Sequence, residues 1–340
     1  MKRYLWRIFA PALVLVIAGC ATTGGSGDLL NKKMYDRAIE DYSVALLIDP
    51  NNAAAYINRG IVYGNKGMPD RAIEDFNAVL WLNPNFANAY YNRGIAYYNK
   101  GMYDRAIEDF TAALLIDPNY AAAYVGWGLV YGLKGMYDRA IADYNVALRI
   151  NPNNADAYNN RGVAYKNKGM YDRAIEDYTA ALRIEPNYAL AHYNRGLAYN
   201  AKGLYDRAIE DYSAALRIEP NYVLAHYNRS LAYNAKGLYD RAIEDYTATL
   251  LIDPNYAAAY YNRGLAYNAK GLYDRAIDDY TVALRIEPNL AAAYNNRGVA
   301  YSDKRMYDRA IEDFTAALRI DPNYANSRSN LEAARKARGY

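Results

Sequence analysis

The side chains that could carry out acid–base or metal chemistry in this chain are two histidines and a series of adjacent acidic pairs. His192 and His226 lie 34 residues apart, and the pair Glu108–Asp109 recurs at the same spacing. Each histidine takes a position that tyrosine fills elsewhere, as at Tyr90, so we expect packing rather than metal ligation. The sequence has no Walker loop, no His-Glu-x-x-His and no Gly-x-Ser-x-Gly. We therefore expect no catalytic residue, no metal and no cofactor.

A different chemistry is offered by a row of asparagines, because a carboxamide both donates and accepts hydrogen bonds and can hold a peptide backbone without reading its sequence. The row consists of Asn58, Asn92, Asn160, Asn194, Asn228, Asn262 and Asn296. Beside it lie Tyr91, Tyr193, Tyr227 and Tyr261, which offer rigid amphipathic contact area. We predict that these residues line a neutral groove for an extended segment of a partner protein. The alternative is that asparagine is merely common at this position.

The elements that position these rows follow from a period of 34 residues, marked by the string Tyr-Asp-Arg-Ala-Ile that first occurs at Tyr35. Such a period indicates a repeat array. Eight complete repeats, here repeats 1 to 8, begin at Ala53, Ala87, Ala121, Ala155, Ala189, Val223, Ala257 and Ala291. In repeat 2 one helical stripe is Tyr90, Gly94 and Tyr97, and a second is Ala106, Phe110 and Ala113. A glycine suited to a left-handed cap separates the stripes, so each repeat is predicted to be a hairpin of a helix A and a helix B.

These residues closely resemble the tetratricopeptide repeat (TPR), which combines an aromatic, Gly and Tyr on helix A with Ala, an aromatic and Ala on helix B, then Pro. The resemblance implies an all-α fold, a right-handed α-solenoid of stacked helix-turn-helix hairpins in which helix A lines the concave side. It covers residues 53–324 fully. Residues 29–52 are expected to form a truncated first repeat with helix B alone, and residues 325–340 a capping helix with Arg328 and Arg335 at stripe positions.

The resemblance also bears on the ligand. The asparagine row is similar to the asparagine ladder of the O-GlcNAc transferase repeat domain, which favours an extended peptide. Repeats that bind the acidic tails of heat-shock chaperones carry a clamp of Lys, Asn and Arg. The corresponding positions here hold Tyr, Asn or aliphatic residues. Chaperone tails are therefore not the expected partner.

One arginine on each helix A and one aspartate on each helix B flank the stripes. The arginines are Arg59, Arg93, Arg161, Arg195, Arg229, Arg263 and Arg297, and the aspartates begin with Asp75 and Asp109. We predict partly buried Arg–carboxylate pairs between the two helices, since such an arginine would otherwise lack compensation for its charge.

Two departures from the repeat are informative. Repeat 3 reads Val-Gly-Trp-Gly over residues 125–128, so it loses both the asparagine and the arginine, and Ala142 replaces a glutamate. Trp127 is either the mark of a drifted repeat or a contact point for a partner. Arg305 takes the place of the cap glycine, which is expected to cost about 1 kcal/mol and to weaken repeat 8.

The N-terminal residues form a separate segment. A basic start is followed by the apolar run Ile8 to Ile17, which is too short to span a bilayer and indicates a signal peptide over residues 1–19. Ile17-Ala18-Gly19-Cys20 resembles the bacterial lipobox, which implies that Cys20, the only cysteine, is lipidated with diacylglycerol and an N-acyl chain such as palmitate. An ordinary signal peptide with an incidental cysteine is the alternative. Residues 20–28, with the lipidated cysteine, would then form a flexible tether.

Net charge and the expected cellular location limit the possible partners. Residues 1–19 hold three basic and no acidic residues, so the remaining chain has 37 of each, and nothing favours nucleic acid. Ala21 after the lipobox implies an outer-membrane lipoprotein facing the periplasm in a Gram-negative cell, or otherwise a cell-surface one. The expected function is a lipid-anchored scaffold for envelope assembly that binds protein segments. The rivals are self-association through the N-terminal helix and polysaccharide binding through the tyrosines.

Overall fold

The computed structural model describes residues 26–339, with side chains from residue 32 onward. The predicted signal peptide and Cys20 lie outside the described residues. Within residues 26–339 the chain forms eighteen α-helices and no strand, so the predicted all-α solenoid of hairpins is confirmed. The first helix is α1 (Ser26–Ile48). It therefore includes residues 26–28, which the sequence analysis assigned to the tether.

Helices A and B alternate after α1. The A helices are α2 (Ala53–Asn65), α4 (Ala87–Asn99), α6 (Ala121–Leu133), α8 (Ala155–Asn167), α10 (Ala189–Ala201), α12 (Val223–Ala235), α14 (Ala257–Ala269), α16 (Ala291–Asp303) and the last helix α18 (Ala325–Arg338). The B helices are α3 (Pro69–Leu82), α5 (Tyr103–Ile116), α7 (Tyr137–Ile150), α9 (Tyr171–Ile184), α11 (Tyr205–Ile218), α13 (Tyr239–Ile252), α15 (Tyr273–Ile286) and α17 (Tyr307–Ile320). The helices group into two compact blocks. The N-terminal block ends at Ile184 and the C-terminal block begins at Glu185.

In seven of the eight repeats the hairpin is held together by an aromatic side chain of helix B seated on a glycine of helix A, and in repeat 6 the fully buried Ser230 takes the place of that glycine. In repeat 2 the ring of Phe110 is fully buried, and a Cβ placed on Gly94 would lie 2.7 Å from its Cε1 atom. Small residues at this position let the two helices approach closely, so the ring and the flanking Ala106 and Ala113 form the core. Within each block, every helix packs on its neighbours in the chain, as a repeat array requires.

The turn between helices A and B depends on a left-handed residue. In repeat 2 Gly101 has a φ of 77°, and the N–H of Met102 donates to the carbonyl of Tyr97 at 2.9 Å, which closes helix A. Arg305 takes this conformation with a φ of 59° and is the one non-glycine residue to do so in the described chain. Arg305 thus adopts the left-handed conformation of the cap glycine that it replaces, and its cost to the stability of repeat 8 stays a prediction.

The first helix is covered on one side only. Tyr42 of α1 is half-buried, whereas its equivalent Phe76 in repeat 1 has 0% of its surface exposed. Ala38, Tyr42 and Ala45, the core positions of this truncated repeat, are therefore only half-buried. Leu47 and Ile48 at the end of α1 are 83% and 81% exposed. An apolar surface therefore begins at this helix.

The last helix, α18, closes the stack with a polar outer side. Leu331 and Ala334 are buried against α17, while Arg328 and Arg335 are exposed. Arg328 donates to the carbonyl of Pro322 at 2.8 Å. The predicted polar cap is confirmed for the described part of the helix. None of the helices described over residues 26–339 has both the length and the apolar character needed to cross a bilayer.

Candidate functional site

The rows predicted to bind a partner lie on one stripe of the A helices, here called the helix-A face. Its geometry is most regular in the C-terminal block, in α10, α12 and α14. The stripe carries half-buried aliphatic side chains at Leu197, Leu231 and Leu265. On these three helices it holds no charged residue. A face of this composition suits a segment that is recognised through apolar contacts and backbone hydrogen bonds rather than through charge.

The asparagine row is used by the protein itself. The Nδ2 of Asn262 donates to the hydroxyl of Tyr227 in the preceding repeat at 3.1 Å and to the carbonyl of Ala258 at 2.8 Å. Asn228 makes the same two bonds, to Tyr193 and to Leu224. Both N–H groups of these carboxamides are therefore occupied, which leaves only Oδ1 for a ligand. The prediction that the row clamps a backbone through both donor and acceptor is wrong for these residues.

The burial of the rows varies along the chain. Tyr91 is 1% exposed and Asn92 is 5% exposed, so both are core residues rather than groove residues. Tyr193 and Asn194 are also buried, and burial raises the pKa of Tyr193 to about 12. Aromatic packing contributes to the burial of Tyr193, since its ring meets that of Tyr222, the last residue of the same repeat, at a centroid distance of 5.0 Å.

The remaining members of the rows lie closer to solvent. Asn58 is exposed, while Asn160, Asn228, Asn262, Asn296, Tyr227 and Tyr261 are half-buried. The Nδ2 of Asn296 donates to the hydroxyl of Tyr261 at 2.9 Å. The Nδ2 of Asn160 is buried and has no hydrogen-bond partner among the described residues. These positions keep some surface for a ligand.

Sequence reasoning missed a second set of carboxamides, which lies near the end of helix A in repeats 5, 6 and 7. The Oδ1 atoms of Asn234 and Asn268 are buried and accept no hydrogen bond from residues 26–339. A buried acceptor without a donor is unfavourable, so these two atoms are suited to accept a backbone N–H from a bound segment. The signal was present in the sequence, because asparagine recurs at residues 200, 234 and 268 of three successive repeats.

The predicted Arg–Asp pairs are present in all seven repeats that have the arginine. In repeat 2 the Nε and Nη2 of Arg93 donate to the two carboxylate oxygens of Asp109 at 2.8 and 2.7 Å. Its Nη1 donates to Asn77 on the preceding helix B at 2.6 Å. The aspartates of these pairs are 3–5% exposed. The pairs therefore join three helices, and their role is structural.

The two histidines belong to this framework. The Nδ1 of His192 lies 3.1 Å from Asp211, and its Nε2 lies 3.1 Å from the carbonyl of Pro186. His226 makes the same contacts with Asp245 and Pro220. Each ring thus ties helix A to its own helix B and to the preceding turn. The predicted packing role of the histidines is confirmed.

Repeat 3 lacks the Arg–Asp pair because Trp127 stands in place of the arginine. Trp127 is half-buried, and its Nε1 lies 3.5 Å from the carbonyl of Ile107 on α5. Its ring meets that of Tyr124 edge-on at 5.8 Å. Asp143, the aspartate of this repeat, has its Oδ2 buried without a partner in the described chain. Burial raises the pKa of Asp143 to about 7.

An apolar row on the B helices is a further surface feature of the N-terminal block. Leu47, Trp81 and Leu115 occupy the same position in three successive B helices and are 83%, 81% and 80% exposed. In the next repeat Arg149 takes this position. Trp81, and not Trp127, is therefore the tryptophan that the described structure presents openly to solvent.

A stack of helical hairpins with an uncharged face on its A helices defines a repeat-solenoid binding protein. Two family models match the chain, described as Tetratricopeptide repeat (residues 53–86, 87–120, 155–188, 189–222 and 291–324) and as TPR repeat (residues 29–67, 128–169, 231–271 and 264–304). The chain belongs to the tetratricopeptide repeat family. Members of this family are in general non-enzymatic scaffolds that bind protein or peptide partners.

Solved structures that match with a TM-score above 0.5 agree with this assignment at the level of the fold. The APC/C hetero-tetramer Cut9–Hcn1 matches 88% of this chain and 58% of its own at 19% identity, with a TM-score of 0.56. A tetratricopeptide repeat protein from Parabacteroides merdae matches 73% of this chain and 98% of its own at 23% identity, with a TM-score of 0.52. YrrB, a TPR protein with an unusual peptide-binding site, matches 55% of this chain and 96% of its own at 28% identity, with a TM-score of 0.41. No curated protein matches the sequence.

Proposed function

We propose that the protein is a scaffold whose helix-A face binds an extended segment of a partner protein. The observation that best supports this proposal is the pair of buried acceptors on Asn234 and Asn268. They lie on two successive A helices, along an uncharged and partly aliphatic stripe. A segment lying along the A helices would give each acceptor a backbone N–H and would cover Leu231 and Leu265.

Site-specific crosslinking tests this function. A photo-reactive residue at Leu231 lies on the helix-A face, and the same residue at Glu244, an exposed position on α13, is the matched control. We expect a partner crosslinked from Leu231 and none from Glu244. The purified partner should then bind the double variant Asn234→Leu, Asn268→Leu at least tenfold more weakly. Equal crosslinking from both positions, or unchanged affinity of the double variant, would refute the proposal.

We propose further that the scaffold is anchored to a bacterial envelope membrane through Cys20. The support is the lipobox-like sequence before this cysteine and the apolar run that precedes it. Two or more acyl chains give stable membrane attachment. The variant Cys20→Ser should therefore move from the membrane fraction to the soluble fraction. A variant that stays with the membrane would show that the attachment is not a lipid on this residue.

Self-association is the competing function, and the exposed Leu47 and Ile48 of α1 favour it. Analytical ultracentrifugation of the chain and of a Leu47→Glu, Ile48→Glu variant separates the two proposals. A sedimentation coefficient that does not depend on concentration would exclude self-association. Polysaccharide binding requires open aromatic faces, and Tyr193 offers none because it is buried.

A further inference from the structure

The carboxylate of Asp143 is placed as its equivalents are but has no cation beside it. In repeat 4 the corresponding aspartate, Asp177, receives the Nε and Nη2 of Arg161 at 2.8 and 2.6 Å. In repeat 3 the arginine is missing, and the Oδ2 of Asp143 is buried without a partner among the described residues. A carboxylate held in a partly buried position is unfavourable unless a cation or hydrogen-bond donors compensate for it.

The tryptophan that replaces the arginine does not fill the same part of the site. The arginines of the other repeats reach in two directions, toward the aspartate on their own helix B and toward a polar side chain on the preceding helix B. Arg161, for example, donates its Nη1 to Asn145 at 2.6 Å. Trp127 turns its Nε1 toward the preceding helix B, 3.5 Å from the carbonyl of Ile107. It therefore replaces the second contact, whereas the first contact, to the aspartate, is not made.

Around the unpaired carboxylate, repeat 3 keeps the aromatic ring that faces the guanidinium in other repeats. The guanidinium carbon of Arg161 lies 5.4 Å from the ring centroid of Tyr158, and the equivalent of that ring in repeat 3 is Tyr124. Arg139 on α7 lies 5.7 Å from the ring of Tyr131 and does not bond to the buried Oδ2 of Asp143. In the seven repeats that have the pair, the arginines keep 16–20% of their side-chain surface exposed, so a guanidinium in this position lies at the edge of the solvent.

We infer that Asp143, together with Tyr124 and Trp127, receives an arginine side chain of a partner segment. The incoming guanidinium would donate two hydrogen bonds to the carboxylate, as the chain's own arginines do in the other repeats, and its flat side would lie against the aromatic rings. A lysine would fit less well, because its ammonium cannot make the paired bonds. This inference rests on the proposed function that the chain binds partner segments, and it assigns one anchoring residue of that segment.

A small probe tests the site without knowledge of the partner. N-acetyl-arginine N-methylamide carries the guanidinium, and N-acetyl-citrulline N-methylamide is its uncharged counterpart of nearly the same shape. The full chain is labelled with 5-fluorotryptophan and followed by fluorine NMR, with the resonances assigned by Trp→Phe variants. Trp81, which is 81% exposed and outside the site, serves as the internal control.

We expect the arginine probe to shift the Trp127 resonance in a saturable way and to leave Trp81 unchanged. Citrulline should have an effect at least tenfold weaker, and Asp143→Asn should abolish the response to arginine. Because burial raises the pKa of Asp143 to about 7, the shift that the arginine probe causes should grow between about pH 6 and pH 8. Equal shifts from arginine and citrulline, a full response in Asp143→Asn, or no shift of Trp127 up to the solubility of the probe would overturn the inference. None of these outcomes bears on crosslinking from Leu231, so the two proposals fail separately.

Discussion

At the residue scale, Asp143 differs from the aspartates at the same position of the other seven repeats because Trp127 has removed its arginine. As a consequence, the carboxyl of Asp143 titrates at a higher pH in the folded chain than an ordinary aspartate does. Burial raises the pKa of Asp143 to about 7, while the nearby Arg139 acts in the opposite direction and more weakly. In the unfolded chain the same carboxyl has the ordinary pKa of an aspartate, about 4.

This difference predicts how stability depends on pH. As pH rises from about 4 to about 7, the unfolded chain loses the proton of Asp143 before the folded chain does, so this residue lowers the free energy of unfolding across that window. Hydrogen exchange of the α6 and α7 amides should show the wild type losing protection over this range relative to Asp143→Asn, which has no charge to bury. Parallel pH profiles for the two proteins would contradict the prediction.

A second prediction restores the pair. Trp127→Arg should place a guanidinium against Asp143 and raise the local free energy of unfolding of α6 and α7 by about 1.5 to 3 kcal/mol, the gain typical of hydrogen bonds to a charged group. The reciprocal variant, Arg161→Trp, leaves Asp177 buried and unpaired and should cost roughly 3 to 5 kcal/mol. Hydrogen exchange measures both effects. Equal effects of the same sign would show that the arginine is not what stabilises these repeats.

The residue scale is also where sequence reasoning was least complete. The pairing of arginine and aspartate followed from their regular spacing on two helices, and the structure confirms it. The internal use of Asn228 and Asn262 could not be predicted, because it depends on a tyrosine 35 residues earlier in the chain coming within 3.1 Å. The unpaired state of Asp143 was within reach, since the loss of the arginine at residue 127 implies it.

At the element scale, the turn between helices A and B places the strictest demand on residue type. Seven of the repeats have glycine there, with a φ of 72–77° in repeats 1 to 7, and repeat 8 has Arg305 at 59°. A side chain in this conformation is strained by contact with its own backbone. The neighbouring Lys304 still pairs with Asp274, so the strain at Arg305 is local.

The prediction for this turn uses a matched pair of variants. Arg305→Gly should raise the local free energy of unfolding of α16 and α17 by about 1 kcal/mol, because glycine adopts a positive φ without strain. Gly271→Arg, at the same position one repeat earlier, should lower that of α14 and α15 by a similar amount. Amide exchange in the two hairpins reports both. A loss of protection in Arg305→Gly would mean that the arginine makes a stabilising contact that outweighs its strain.

The exposure of individual side chains on the helix-A face could not be predicted from the repeat period. The period placed Tyr91 and Tyr227 at the same position of their repeats, yet one is 1% exposed and the other is half-buried. Their packing differs as well, although each ring meets the tyrosine that closes its own repeat. Tyr91 meets Tyr120 edge-on at 5.2 Å, whereas Tyr227 packs at an angle on Tyr256 at 4.9 Å. Helix positions follow from a repeat period, but the exposure of one side chain depends on contacts that differ between repeats.

At the scale of the whole molecule, the repeats of the C-terminal block are interchangeable in their contacts. Arg263 donates to Thr247 on the preceding helix B, and Arg297 donates to Thr281 in the same way. Asn262 reaches the hydroxyl of Tyr227, and Asn296 reaches that of Tyr261. Each interface between repeats is therefore built from the same residue types. Stability should then be a sum of repeat and interface terms.

The deletion of one whole repeat tests this additivity. Removing residues 257–290 joins Tyr256 to Ala291, so Asn296 meets Tyr227 and Arg297 meets Thr247, both of the types that they meet now. Lys304 likewise finds Asp240 in place of Asp274. We expect the shortened chain to fold, with a helical circular dichroism signal per residue equal to that of the wild type. Its thermal midpoint should fall by only a few degrees, which is the shift produced when the free energy of unfolding decreases by about 1 kcal/mol.

A shorter deletion is the control that separates additivity from simple tolerance. Removing residues 257–272 takes out α14 and its turn, which places α15 directly after α13 and leaves Asp279 without Arg263. The aromatic ring of Tyr280 also loses Gly264, the small residue on which it is seated. This chain should lose cooperative melting and aggregate, although it has lost fewer residues. If circular dichroism and light scattering show the two deletions to be equally damaging, the repeats are not independent units and the fold depends on the number of repeats in the array.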